Sequence, residues 1–222
     1  SAGFAWTLGR PDNGARLDET LRHLAQVAGA VAVPVSADFE NAFAVSPQQV
    51  AATVEQAVAT GIAGLSVEDS TGEADEPLFE FELAVDRVRA ARAAIDGSGT
   101  AVVLTARSEG FVCGRPDIAE TVRRLAAYAD AGADCLYAPR ITTVEHIRAV
   151  VAAVSPKPVN LLINAPFITV AEAAALGVRR ISVGGTLART AWAGFLEAAA
   201  EIALTGTFNR FEGLPDVDAR FG

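Results

Sequence analysis

The chain has 222 residues, 51% of them hydrophobic and 20% charged, a balance that favours a well-cored globular protein over disorder. Its formal charge of −9 and pI near 4.7 argue against nucleic acid and anionic membranes as partners. No apolar run is long enough to span a bilayer, and two cysteines, Cys113 and Cys135, make no disulfide framework, so a reducing cytoplasm is the expected compartment.

The chain opens at Ser1-Ala2-Gly3 and contains no Met, so upstream sequence is expected. The β-rich run Val31–Ala37 predicts a strand that ends at Asp38, and if the backbone stays extended, Asp38 and Glu40 share one face of it. Two acids aimed together repel each other unless a cation lies between them or one stays protonated. Ser46 and Pro47 start a helix as N-cap and first residue; Val50, Val54, Ala57 and Val58 recur at helical spacing, and Gly61 stops it. A strand follows over Ala63–Asp69, then a polar loop from Ser70 to Pro77. A helix with Phe81, Val85 and Val88 on one face runs to about Ile95, and a strand from Ala101 ends near Arg107 and Glu109.

The second half repeats the pattern. A helix is expected over Pro116–Ala131, a strand over Asp134–Ala138, a helix over Thr143–Val154, a strand over Pro158–Ile163 and a helix over Thr169–Leu176. A strand over Arg180–Gly184 and a long helix over Leu187–Leu204 complete it. Six β-then-α units with short, nearly continuous apolar strands predict a parallel sheet buried on both faces. Open doubly wound sheets and closed (β/α)8 barrels both fit. Polar residues at successive strand ends favour the barrel: Asp38 and Glu40, Glu68 and Asp69, Arg107 and Glu109, Arg140, and Asn164. Residues 1–206 are assigned to the barrel, and residues 207–222, which lack periodicity, to a tail that docks on a neighbour.

Converging strand ends would make Asp38, Glu40 and Glu68 an all-oxygen site suited to Mg²⁺ or Mn²⁺. Arg107 offers a planar fork for a carboxylate or phosphate. A cation beside such a fork suits an α-oxo acid. The single lysine, Lys157, is the one candidate for Schiff-base chemistry, but it precedes its strand and so falls at the opposite barrel end. His23 and His146 are isolated on helices and read as surface residues.

Five segments together resemble the isocitrate lyase/phosphoenolpyruvate mutase superfamily: Ser1-Ala2-Gly3, Ser36-Ala37-Asp38-Phe39-Glu40-Asn41, Val67-Glu68-Asp69, Thr105-Ala106-Arg107-Ser108-Glu109 and Ile181-Ser182-Val183-Gly184. The resemblance spans roughly Ser1 to Gly206. It implies a (β/α)8 TIM barrel whose first strand, first helix and second strand lie upstream of Ser1, in homodimers or homotetramers that exchange C-terminal helices. It implies Mg²⁺ at Asp38, with Glu40 and Glu68 binding it directly or through water. Ser1, Ala2, Gly3, Arg107 and Asn164 would hold a small anionic oxo-acid substrate, and Asp12, Arg107 and Glu109 would serve the chemistry. The expected activity is cleavage of a C–C or C–P bond next to a carbonyl, through an enolate, or phosphonomutase-type chemistry.

The chain also departs from the family. The Lys-(Lys/Arg)-Cys-Gly loop of its lyases is replaced by Ser70-Thr71-Gly72-Glu73-Ala74-Asp75-Glu76-Pro77, without Cys, Lys or His. Cys113-Gly114 follows a later strand and reads as a small neutral pair, and Arg140 follows Pro139 where the lyases carry Glu. Isocitrate lyase activity is therefore not expected, and an oxo-acid-binding barrel without turnover is the alternative.

Overall fold

The computed structural model describes residues 1–220. Two helices come first, α1 (Ala2–Thr7) and α2 (Leu17–Ala30). Then β and α alternate: β1 (Ser36–Asp38), α3 (Pro47–Val58), β2 (Gly64–Glu68), α4 (Phe81–Gly97), β3 (Val103–Arg107), α5 (Ile118–Asp130), β4 (Cys135–Tyr137), α6 (Val144–Val154), β5 (Val159–Leu162), α7 (Val170–Ala175), β6 (Arg180–Ser182) and α8 (Thr186–Thr205). The chain divides into two compact units, Ser1–Gly184 and Gly185–Gly222.

All six strands are parallel and neighbour one another in chain order, β1-β2-β3-β4-β5-β6. Side chains alternate between the two faces. One face carries Leu65, Val67, Leu104, Ala106, Leu136, Val159 and Leu161, all buried against the helices. Burying each such side chain fully stabilises the fold by about 1.5–3 kcal/mol for the larger ones. The other face is polar: Asp38, Ser66, Glu68, Thr105, Arg107, Tyr137, Asn160, Arg180 and Ser182. Arg180 on β6 donates to Thr105 Oγ1 on β3 at 2.8 Å and to Ser36 Oγ on β1 at 2.9 Å. One side chain spans these strands only because the sheet curls about its polar face. The architecture is a curled six-stranded partial (β/α) barrel with a polar interior.

Local chemistry accounts for the helix boundaries. The Ser46 hydroxyl accepts from Gln49 N at 3.3 Å, with Pro47 in the first turn. Asp117 accepts from Ala119 N and Glu120 N at 2.9 and 3.1 Å, which moves the start of α5 past the expected Pro116. Thr143 and Thr169 cap α6 and α7 in the same way. Gly132 (φ 103) and Gly177 (φ 96) take the backbone turns that follow α5 and α7, angles at which a Cβ would be strained. The expected strand from Val31 is shortened to three residues. Pro34 has no N–H to contribute, Val31 and Val33 are exposed, and pairing with β2 begins only where Val35 O accepts from Ala63 N at 2.8 Å.

The segment after β1 is conformationally demanding. Glu40 (φ 49), Ala42 (φ 60) and Phe43 (φ 53) all lie in the left-handed region without being glycine. Such residues cost on the order of 1 kcal/mol or more each and persist where their surroundings hold them. Arg87 of α4, 1% exposed, does so: its guanidinium donates to the carbonyls of Asn41 (2.6 Å), Val45 (2.9 Å) and Ala44, and lies over the Phe79 ring. Thr53 Oγ1 donates to Ala42 O at 2.8 Å. Burial lowers the Arg87 pKa to about 10, still charged at neutral pH.

In the second unit the segment after α8 folds back on that helix: Glu201 accepts from Thr207 Oγ1, Asn209 N and Arg210 N.

Arg87→Met should leave the buried Ala44 carbonyl and the part-buried Asn41 and Val45 carbonyls without this donor and cost about 3 kcal/mol or more in urea unfolding. Arg89→Met, on the exposed side of the same helix and paired with Asp86, should cost under about 1 kcal/mol.

Candidate active site

The site forms where β1, β2 and β3 end. Arg107, last residue of β3, extends from the polar face and meets three carboxylates. Its Nη1 donates to Asp38 Oδ1 at 2.5 Å, its Nη2 pairs with Glu68 Oε2 at 3.1 Å, and Nε and Nη2 both reach Glu109 Oε1 at 2.9 Å. Register explains part of this convergence, because Glu68 and Arg107 are paired neighbours across β2 and β3. Tyr137, paired with Arg107 across β3 and β4, places its ring 5.2 Å from the guanidinium carbon.

Glu40 arrives by another route than expected. β1 ends at Asp38, so strand alternation does not place Glu40. The left-handed turn carries it instead, and its carbonyl accepts from Glu68 N at 3.0 Å. Its carboxyl is buried, and burial together with the Asp38 charge raises its pKa to about 7. Burial, reinforced by neighbouring acids and opposed by Arg107, also raises Glu68 to about 8 and Glu109 above its ordinary value. Asp38 alone among them goes down: its desolvation is outweighed by the charges of Arg107 and of the Ser1 amino group together with the Ser1 hydroxyl. Three of these acids contact one guanidinium and buried Glu40 lies near them, so the carboxyls outnumber the cations that could pair with them.

Residue by residue, the sequence candidates fare differently. Asp38, Glu68, Arg107 and Glu109 are in direct contact. Ser1 Oγ donates to Asp38 Oδ2 at 3.0 Å and reaches Asp12 Oδ1 at 3.5 Å, which brings Asp12 to the rim. Ala2 and Gly3 open α1. Asn164, exposed just past β5, makes no hydrogen bond among the described residues. Lys157 precedes β5, at the far end of the sheet. Among the described residues no three acids, histidines or cysteines are already grouped as a metal cage; the acids face Arg107. The donor set is nevertheless all oxygen and over-negative, which fits a hard divalent cation that keeps part of its water shell.

The sequence reading named Asp69 and Cys113 but not the contacts that give each a supporting role. Asp69, next to Glu68 but on the opposite side of the strand, accepts from Glu109 N (2.7 Å), Tyr128 OH (2.6 Å) and Arg124 Nη1 (3.2 Å). It thereby ties the β3 end to α5 behind the site. Arg124 also donates to Phe79 O at 2.9 Å, beside the ring that Arg87 covers. The signal available was the acid pair Glu68-Asp69, in which alternation gives one residue to each face. Cys113 touches both ends of the Ser70–Pro77 loop, with Sγ 3.9 Å from Ser70 Oγ and 3.8 Å from Pro77 O. Burial pushes its thiol up, so it is a neutral contact there.

Fold and site define an α/β partial-barrel protein with an arginine-carboxylate centre at the C-terminal ends of its strands. The phosphoenolpyruvate phosphomutase family profile matches residues 1–203, and the chain belongs to that family, within the isocitrate lyase/phosphoenolpyruvate mutase superfamily. It is 31% identical over 152 residues to 2-methylisocitrate lyase of Escherichia coli K12, covering 65% of this chain and 50% of that one. A Burkholderia cenocepacia J2315 structure, described only as a lyase/mutase, superposes with a TM-score of 0.94 at 43% identity, covering 99% of this chain and 80% of the other. Phosphonopyruvate hydrolase, solved with oxalate and Mg²⁺, gives 0.83 at 29% identity, covering 98% and 78%. The chain spans about half the length of the curated relatives it matches. Among the described residues no helix is long and apolar enough to cross a membrane.

Raised carboxyl pKa values have a signed consequence. Glu40 binds a proton more tightly folded than unfolded, so its contribution to stability falls as pH rises from the usual carboxylate range, near 4.5, through about 7. In chelator, the melting temperature should fall between pH 5.5 and 8, and Glu40→Gln should flatten that slope. Added Mg²⁺ should raise the melting temperature clearly at pH 8 and little at pH 5.5, because protons compete for the same oxygens. A Mg²⁺ effect equal at both pH values would contradict this.

Proposed function

We propose that this chain forms the oxo-acid site of a Mg²⁺-dependent lyase of the isocitrate lyase/phosphoenolpyruvate mutase superfamily. The observation that carries this reading is Arg107 held among Asp38, Glu68 and Glu109 at the strand ends, beside buried Glu40. Asp38, Glu40 and Glu68 would hold the cation, directly or through water, and a bound cation would supply Lewis-acid polarisation of a carbonyl. With Asp38 and Glu68 engaged by a cation, Nη1 and one N–H of Nη2 of Arg107 would be free to fork a substrate carboxylate. Glu109, 2% exposed and bound to Nε, keeps the guanidinium aimed and acts as a positioning residue. Ser1 lies beside Asp38, and with the first amides of α1 and Asn164 it would complete the proposed substrate wall. Asp12, linked to the site through Ser1, is the proposed acid at the reacting group.

The substrate class is a small α-oxo or α-hydroxy carboxylate, cleaved next to its carbonyl through an enolate. C–C cleavage is favoured over C–P cleavage or phosphoryl shift, because the Ser70–Pro77 loop carries Glu73, Asp75 and Glu76 and no cation to receive a departing phosphonate. A bridge between Ser70 and Leu78, and Thr71 N donating to Pro77 O at 3.1 Å, close that loop upon itself. Two further parts of the proposal are an eight-stranded barrel completed by segments beyond these six strands, and assembly as a dimer or tetramer.

Calorimetry with oxalate and Mg²⁺ together, beside a turnover screen of oxaloacetate, 2-methylmalate-type acids and phosphonopyruvate, tests the proposal. Binding that requires both components, with C–C cleavage of at least one acid, is expected. Arg107→Lys, which loses the planar fork, should weaken oxalate by at least about tenfold. Tight binding without turnover would replace the enzyme by an oxo-acid-binding barrel, and no binding at all would sink both.

A further inference from the structure

The polar interior contains a directed chain of hydrogen bonds that the reading above leaves unused. Asn160 on β5, 2% exposed, donates its amide N–H to Ser182 Oγ at 2.9 Å. Ser182 on β6 in turn donates to the Tyr137 phenolic oxygen at 3.3 Å. Each hydroxyl accepts from the one before, so the chain runs one way, from Asn160 to Tyr137. Asn160 Oδ1, its other amide atom, is buried and takes no proton back. The Tyr137 oxygen thus accepts one hydrogen bond, from Ser182, while its own proton has no acceptor among the described residues.

Tyr137 is placed to use that proton on a ligand. It ends β4 on the same face as Asp38, Glu68 and Arg107, and is paired with Arg107. Its ring lies 5.2 Å from the Arg107 guanidinium carbon and the residue is 9% exposed. Arg180 of β6, hydrogen-bonded to Ser36 of β1, shows that the β6 wall faces the β1 wall across the interior. A carboxylate forked by Arg107 would therefore have the acids of β1 and β2 on one side and the Tyr137–Ser182 wall on the other. The phenol is a neutral donor: burial and the charges of Glu109 and Asp38 outweigh Ser182 and Arg107 and raise its pKa.

We propose that the Tyr137 hydroxyl, oriented by Ser182 and Asn160, is the hydrogen-bond donor to the oxygen that becomes negative as the oxo acid is cleaved. This rests on the oxo-acid reading of the site. It gives the site an uncharged donor that does not depend on the Ser70–Pro77 loop. A preorganised donor at a developing oxyanion is worth on the order of 10²–10³ in rate.

Oxalate, whose planar dianion resembles the enolate of pyruvate, is the probe. With Mg²⁺ at pH 7.5, Tyr137→Phe should raise the oxalate Kd about tenfold. Ser182→Ala should raise it less, and neither should move the melting temperature by more than about 3 °C. Ligand-induced tyrosine difference absorbance should vanish in Tyr137→Phe, although Tyr128, the only other tyrosine, remains. Oxalate bound by Tyr137→Phe within twofold of the unchanged chain, or an undiminished difference band, would overturn the assignment while leaving the oxo-acid site standing. No oxalate binding by the unchanged chain would overturn the site reading itself, and the assignment with it.

Discussion

The guanidinium of Arg107 is the interaction on which the site depends. Asp38, Glu68 and Glu109 come from three different positions along the chain, and their mutual repulsion would drive them apart without a cation at the centre. One planar group with five donors can face all three at once, which a lysine ammonium could not do with the same geometry. The arrangement is nonetheless under-neutralised. Buried Glu40 and Glu68 keep raised pKa values, and that residual charge demand is the basis of the proposed divalent cation.

Behind this centre stands a second layer of buried charge whose task is mechanical. Arg87 collects three carbonyls of the left-handed turn that delivers Glu40. Asp69 collects three donors that fasten the Glu109 backbone to α5. Phe79 lies between the two, under the Arg87 guanidinium and accepting from Arg124 through its carbonyl. A buried charge persists only when its hydrogen bonds are filled, so these groups lock the loops that carry Glu40 and Glu109. The rigidity of the mouth is thus built from α4 and α5, outside the sheet.

Much of the fold was legible in the sequence because it rests on local rules. Short apolar runs separated by capped helices specify parallel βα units, and Ser46, Thr143 and Thr169 cap where their side chains allow. The strand ends that carry Asp38, Glu68 and Arg107 were legible for the same reason. Less legible was anything set by contacts distant in sequence. Pairing of Asp38 and Glu40 was expected from strand alternation, but the strand stops at Asp38 and a left-handed turn brings Glu40 in. The anchor for that turn, Arg87, lies more than forty residues away on a helix. On α4 it reads as one more surface arginine beside Arg89 and Arg92.

The sequence by itself determined the order and type of the elements, the segment pattern of the superfamily, and an excess of acids at strand ends. Those follow from side-chain periodicity, capping and residue chemistry, which act over a few residues. Only the tertiary structure decided that the sheet curls so that Arg180 joins β6 to β1 and β3. It also decided that Arg107 gathers three of the acids, and that the Asn160–Ser182–Tyr137 chain points one way into the interior. Those depend on register and curvature, which bring together side chains up to 144 positions apart in the chain, a separation that no local pattern encodes.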